Sequence, residues 1–205
     1  MDRGITVIGS GSASGPRDEC VLTVGAEVRR PTAAAALAGT AEVVSRMREV
    51  LLSTGLPGSS LATSAVSLAP VYDQYPTVAG FVSDVRLTAR TRDLASVGGL
   101  LTALVEAGGE AARVHEVDYR QSDPSGLLTQ ARELAWADAV DRASQLARLA
   151  GRELGEVLGI EEAVGRGGGP RPMRMAAMAD AAGSVPLDAG SGEVSVTLTA
   201  AWSLR

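Results

Sequence analysis

Two neighbouring stretches of this chain repeat the same order of elements, and this repetition is the strongest constraint on its fold. Residues 18–72 and 78–120 each show an alternating strand, a helix with apolar residues at helical spacing, and a second strand. A longer helix is predicted at 126–150, and further strands follow it. The order β-α-β-β-α-β, extended by a third helix and C-terminal strands, predicts an α+β fold. We expect one domain, 1–205, with a largely antiparallel sheet and the helices on one face.

Capping residues and chain breakers indicate where the predicted helices begin and end. Thr32 is expected to cap the first helix and Gly55 to close it, and the Asp123-Pro124 pair begins the third helix. Helical spacing predicts that one face of each helix is buried. The predicted buried residues are Leu37, Thr40, Val44, Met47 and Leu51 in the first helix and Ala131, Ala135, Ala139, Ala143 and Ala147 in the third.

Both ends of the chain are predicted to form strands. Residues 5–8 form a short strand, residues 9–15 are predicted as a turn of serine and glycine, and residues 193–204 alternate most regularly. The two terminal strands carry few charges. Exposed strand edges are normally protected by charge, proline or a partner, so we expect these strands to form the seam of a homo-oligomer.

Charge and hydropathy argue against a nucleic-acid partner and against a helix that spans a membrane. The net charge is −5 and the 19 basic residues, all arginines, are scattered along the chain, so there is no basic stripe for a nucleic acid. No apolar run reaches the roughly 18 residues that a membrane-spanning helix needs. Aromatic residues make up only 3% of the chain, so the core must consist mainly of leucine, valine and alanine.

The single cysteine and the first residues bear on location. One cysteine, Cys20, cannot form an internal disulfide, and the alternation around it predicts a buried side chain. The sequence passes from Met1 to the strand at 5–8 without an apolar export signal. The expected location is therefore the cytoplasm, unless an export signal has been removed from the sequence.

No set of residues has the types and spacing that a known reaction needs. Residues 9–15 resemble a phosphate-binding loop, but a strand is predicted after Pro16 where such a loop requires a helix, which favours a mobile turn. His115 is the only histidine, and no cysteine or second histidine accompanies it as a metal ligand. It is predicted to be a part-exposed strand residue.

Two pairs of carboxylates come closest to an acid-base couple. Glu161 and Glu162 are adjacent on a predicted strand and therefore point to opposite faces. Asp138 and Asp141 share a helix face, which is by default a solvated one, and Asp138 lies four residues before Arg142. The sequence thus predicts no catalytic, metal-binding or cofactor-binding residue, no cofactor, and no enzyme.

The segment 165–190 is rich in glycine, proline and methionine and has no sustained period. Flexible, methionine-rich loops form adaptable binding surfaces, so this segment is the candidate binding loop. A long disordered connector is the alternative, and we expect 165–190 to be the least ordered part of the fold. The candidate binding residues are Arg171, Met173, Arg174, Met175 and Met178.

Ten segments, taken in order, resemble the SIMPL-domain family of bacterial oxidative-stress-defence and periplasmic immunogenic proteins. They span residues 5–11, 22–28, 31–37, 62–72, 80–83, 92–98, 131–135, 147–151, 172–178 and 194–204. The resemblance implies an α+β fold and, in some members, large ring-like homo-oligomers. It brings no catalytic residues. Members are often periplasmic or secreted, whereas this chain shows no signal peptide, and Phe81 stands where the family commonly has tyrosine.

Two functions remain open at this point. The first is a non-enzymatic, self-assembling protein linked to stress or envelope physiology, which the resemblance and the terminal strands favour. The second is a small-molecule or peptide-binding module that uses residues 165–180. The oligomeric mass in solution would distinguish a ring-forming scaffold from a monomeric binder.

Overall fold

A computed structural model of the chain describes residues 4–163 and 187–205. These residues contain three helices and seven strands, and they confirm the predicted α+β class. In chain order the elements are β1 (Gly4–Pro16), β2 (Glu19–Arg30), α1 (Ala33–Ser53), β3 (Leu61–Tyr72), β4 (Val78–Thr91), α2 (Val97–Gly108), β5 (Ala112–Arg120), α3 (Ser125–Leu149), β6 (Leu154–Ala163) and β7 (Ser191–Leu204).

The described residues divide into two compact units. The terminal unit consists of 4–17, 121–163 and 190–205, and the inserted unit consists of 18–120 and 187–189. Each unit contains its own sheet and its own apolar core. That residues 1–205 form a single domain stays a prediction. It requires that the two units unfold together.

The inserted unit contains the β-α-β-β-α-β sequence of elements. Its four strands form an antiparallel sheet in the order β3-β4-β2-β5. Helices α1 and α2 cover one face, where β2 contributes Cys20, Leu22 and Val24, all fully buried. This is the split β-α-β arrangement, in which each helix connects two parallel strands that lie on either side of a third.

Local signals set the ends of α1 as predicted. The Thr32 hydroxyl accepts a hydrogen bond from the N–H of Ala35 at 3.2 Å, and Gly55 follows the helix at a φ of +84°, where glycine is favoured. Two of the five predicted buried positions are wrong by one residue each: Ala36 and Val43 are buried, whereas Leu37 is 43% exposed and Val44 is only partly buried.

The terminal unit is a three-stranded antiparallel sheet in the order β1-β7-β6 with α3 packed on one face. The buried face predicted for α3 is confirmed, since its five alanines are 0–1% exposed. We call them the alanine ridge: Ala131, Ala135, Ala139, Ala143 and Ala147. Trp202 of β7 lies beneath α3, and its ring centroid is 5.5 Å from that of Trp136. Small side chains on α3 allow the helix to approach the sheet closely.

The predicted turn at 9–15 is wrong, because these residues form the second half of β1. They pair without interruption with β7, from Gly9 opposite Leu198 to Gly15 opposite Gly192. A Cβ atom on Gly9 would overlap the carbonyl oxygen of Ala135 in α3. The glycines therefore serve close packing of a helix on a strand, and not a change of chain direction.

The position of the last strand also corrects the predicted assembly seam. β7 lies between β1 and β6, so both of its edges are already paired within the chain. A charge placed on β7 would therefore disturb the middle of a sheet and not a free edge. The outer strands of the described residues are β1 and β6 in one sheet and β3 and β5 in the other.

Candidate functional site

The candidate binding loop lies outside the described residues. Arg171, Met173, Arg174, Met175 and Met178 all fall within 164–186. Their role in binding, and the low order predicted for most of this segment, stay predictions.

Cys20 is confirmed as a buried core residue. It is 0% exposed and is packed with the apolar residues of β2. Burial, reinforced by the negative charges of Asp118 and Glu19, raises the pKa of its thiol to about 11. The thiolate is the reactive form of cysteine, so this side chain is not a nucleophile at neutral pH.

His115 belongs to an ion-pair cluster on the sheet face opposite the helices of the inserted unit. Its Nε2 atom lies 3.7 Å from Oδ2 of Asp84, whose Oδ1 accepts a hydrogen bond from Nε of Arg86 at 2.9 Å. Nearby on the same sheet, Arg113 pairs with Glu27 at 3.2 Å. The carboxylate of Asp84 thus lies between Arg86 and His115 on this face of the sheet.

The predicted carboxylate pairs are engaged in separate interactions. Glu162 accepts hydrogen bonds from Arg132 at 3.0 Å, and Asp138 pairs with Arg142 at 2.9 Å as the sequence spacing suggested. In the described part of the chain, no three or more histidine, cysteine or acidic side chains gather at a metal-binding distance. None of the helices described is both long enough and apolar enough to cross a membrane.

Asp138 and Arg142 have a role that the sequence did not indicate, because they bind the outer edge of β1. Oδ2 of Asp138 accepts the main-chain N–H of Ser10 at 2.8 Å, and Nη1 of Arg142 donates to the carbonyl oxygen of Ile8 at 3.2 Å. The N–H of Ser10, with help from Arg142, lowers the pKa of Asp138 below its ordinary value. The pair occupies the groups that another strand would use.

The outer strand β3 presents the opposite situation. Its twelve residues include no charged side chain. Val66 and Leu68 are 63% and 45% exposed, although they lie opposite the buried Val85 and Ser83 and point to the helix-covered face. A register shift between Thr63 and Ala65 interrupts the strand on one side, and Pro70 interrupts it on the other. We call residues 65–69, between these two interruptions, the β3 edge.

The β3 edge was missed because a sequence pattern does not show which strand is outermost. Residues 61–72 are predicted as the second strand of the first repeat, and the structure has a strand with the same bounds. The signal that could have found it is the complete lack of charge over those twelve residues, which is unusual for an unpaired edge.

Two curated relatives are similar to nearly the whole chain. Both are named 26 kDa periplasmic immunogenic protein, one from Brucella melitensis biotype 1 and one from Brucella abortus. Each is 28% identical over 220 residues, and the match covers 98% of this chain and 84% of the relative.

These relatives correct the predicted location. Both are named as periplasmic proteins, so the expectation of a cytoplasmic protein is wrong. That expectation depended only on the first residues of the sequence. An export signal is removed from a mature periplasmic protein, so its absence from a sequence does not indicate the compartment.

The family resemblance is confirmed by a direct comparison with the family model. Residues 5–202 match the family described as "SIMPL: Protein of unknown function (DUF541)". The match begins in β1 and ends in β7, and thus includes both units of the structure. The chain therefore belongs to the SIMPL family.

Proposed function

We propose that this chain is a non-enzymatic protein of the bacterial periplasm that assembles with copies of itself and supports envelope or stress physiology. The names of the two Brucella relatives support the compartment. The ring-like homo-oligomers implied by the family resemblance support assembly. The observation that carries the proposal is the uncharged, exposed β3 edge.

The four outer strands of the described residues differ in how they are protected. β5 carries two arginines, two acidic residues and a histidine, and β6 carries three glutamates and two shifts of register. β1 is uncharged, but Asp138 and Arg142 bind its edge. The β3 edge has neither charge nor a bound side chain along residues 65–69, so it is the strand on which pairing with another chain costs least.

A second copy of the same strand fits this edge well. Antiparallel pairing of two β3 edges joins identical residues around a two-fold axis, which gives a closed contact. Such pairing would satisfy main-chain groups and cover Val66 and Leu68 of both copies. Larger rings require a second contact in addition to this one.

The surroundings of the reactive side chains support the non-enzymatic part of the proposal. Cys20 is enclosed in the core, where no substrate can reach its thiol. The carboxylate of Asp138 is occupied by the main-chain N–H of Ser10 and by the guanidinium group of Arg142.

The test is the mass in solution of matched lysine variants, measured by light scattering over a concentration series. Val66→Lys places a charge on the β3 edge, and Val114→Lys, a 47% exposed valine on the opposite outer strand of the same sheet, is the control. We expect an oligomer for the wild type and Val114→Lys and a smaller species for Val66→Lys. A wild type with the mass of one chain at every concentration would refute assembly.

If the wild type assembles and Val66→Lys assembles equally well, then assembly stands but the β3 edge is not the seam. Circular dichroism of both variants checks the fold. Because both valines are substantially exposed, neither lysine has to enter the core.

A further inference from the structure

A cavity of about 400 Å³ lies at one end of the sheet in the inserted unit. It is bounded by the start of β2, the end of β4 and the 3-10 turn Gly58–Ser60 that precedes β3. A volume of this size falls at the lower end of the range for small-molecule sites. The cavity is distinct from the β3 edge, and what it binds is independent of assembly.

Two arginines contribute positive charge to this cavity. Arg90 is the penultimate residue of β4 and Arg92 follows the strand, and both of these exposed residues line the cavity. Within the described residues neither guanidinium group has a hydrogen bond or an ion pair. An unpaired guanidinium presents a planar set of donors that suits a carboxylate or phosphate group.

The remaining polar groups of the lining do not cancel this charge. The carboxylate of Glu19 is already bound by Arg120, with both Nε and Nη2 2.7 Å from Oε2. Ser59 and Ser60 add two hydroxyl groups that have no hydrogen-bond partner in the described part of the chain. The lining therefore offers two positive charges and two further donors in a protein whose net charge is −5.

We infer that this cavity binds a small soluble dianion, such as a phosphate or a dicarboxylate, between Arg90 and Arg92. Each guanidinium group would take one anionic oxygen pair, and the serine hydroxyls would donate to the remaining oxygens. A cation is disfavoured, because Glu19, the one carboxylate that the described residues contribute to the lining, is held by Arg120. A mainly apolar ligand would leave both arginines without a partner.

The experiment is isothermal titration calorimetry of the full chain with inorganic phosphate and, separately, with succinate. Sodium chloride at the same ionic strength controls for screening of surface charge. Saturable binding of either anion, without the same response to chloride, is the expected result. The absence of saturable binding with both anions, or an equal response to chloride, would overturn the inference.

Variants then locate the site. Arg90→Gln and Arg92→Gln should each weaken binding by about tenfold or more, since each removes charge-assisted hydrogen bonds. Arg29→Gln is the matched control, because Arg29 is an exposed arginine near the other end of β2, and it should change the affinity by less than about twofold. Equal weakening by Arg29→Gln would show that binding depends on overall charge and would contradict the site.

A variant of opposite sign provides a second check. Glu19→Gln removes the carboxylate from the lining and releases Arg120, so we expect tighter binding of phosphate. Weaker binding by a folded Glu19→Gln protein would contradict the assignment of Arg90 and Arg92 as the anion-binding pair.

Discussion

At the scale of single residues, glycine in β1 has a meaning that its sequence context does not reveal. Gly9 and Gly11 point toward α3, and a Cβ atom at either would overlap the main chain of the helix. The alanine ridge of α3 is the complementary feature, since its members are fully buried against this sheet. At Gly9 and Gly11, α3 therefore packs directly against the main chain of β1.

This packing predicts that Gly11→Ala is strongly destabilising. The added methyl group would meet the carbonyl oxygen of Ala131 and the Cβ atom of Leu134, and neither can move without displacing α3. We expect the free energy of unfolding to fall by about 2 kcal/mol or more, measured by urea denaturation. Gly126→Ala, where no atom lies within 4 Å of the new Cβ, is the control. It should be neutral or stabilising by up to about 1 kcal/mol.

Residue-level predictions succeeded where a local period decides the outcome and failed where a distant segment does. Alternation placed Cys20 in the core, and the cap at Thr32 depends on three neighbouring residues. Gly9 and Gly11 are explained only by residues of α3, which lie more than a hundred positions away in the sequence. A single sequence contains no signal that connects these two segments.

At the scale of elements, two side chains of α3 occupy main-chain groups at the outer edge of β1 that a neighbouring strand would otherwise bond. Asp138 accepts the N–H of Ser10, and Arg142 donates to the carbonyl of Ile8, while the two side chains also bind each other. As a helical pair at i and i+4 they would contribute little. Their additional bonds to the edge of a strand give the pair a structural role beyond that of a surface salt bridge.

We therefore expect Asp138→Asn to lower the melting temperature near neutral pH. The folded-state pKa of Asp138 is below its unfolded value, so its contribution is present above the unfolded pKa and is lost as the pH falls through the folded pKa. The difference between wild type and variant should shrink below about pH 4. Differential scanning calorimetry as a function of pH measures it.

Asp141→Asn provides the control for that series, because Asp141 is exposed on the same helix and has no hydrogen bond or ion pair among the described residues. It should leave the melting temperature nearly unchanged at every pH. A difference for Asp138→Asn that stays constant down to low pH would argue against the carboxylate as its source.

The position of each strand in the sequence was easier to predict than the identity of the strands that pair with it. The strand β7 has the clearest alternation in the chain, and its buried face is as expected. However, a period of two fixes the face of a strand and does not fix which strands lie beside it. The prediction therefore placed β7 at an assembly edge, whereas the structure places it between β1 and β6.

At the scale of the whole molecule, the path of the chain links the two units. The terminal unit pairs β1 with β7 and packs β1 against α3, and the inserted unit lies between β1 and α3 in the sequence. The N–H of Asp18 donates to the carbonyl of Arg120 at 3.0 Å, so the two ends of the inserted sheet lie side by side. If that sheet unfolded, residues 18–120 would become a flexible loop, and closing it would cost about 4 kcal/mol.

This loop cost leads us to expect a single unfolding transition for 1–205, as a single domain requires. Both tryptophans, Trp136 and Trp202, belong to the terminal unit, so selectively excited tryptophan fluorescence reports that unit alone, while far-UV circular dichroism reports the whole chain. Leu104→Ala removes a fully buried side chain from the inserted unit and should cost about 2–5 kcal/mol. Because the units are linked, it should shift the fluorescence and dichroism transitions equally.

Leu52→Ala, at a 40% exposed position in α1, should shift both only slightly. A fluorescence transition that does not move with Leu104→Ala, while the dichroism transition separates into two steps, would show that the units are independent domains.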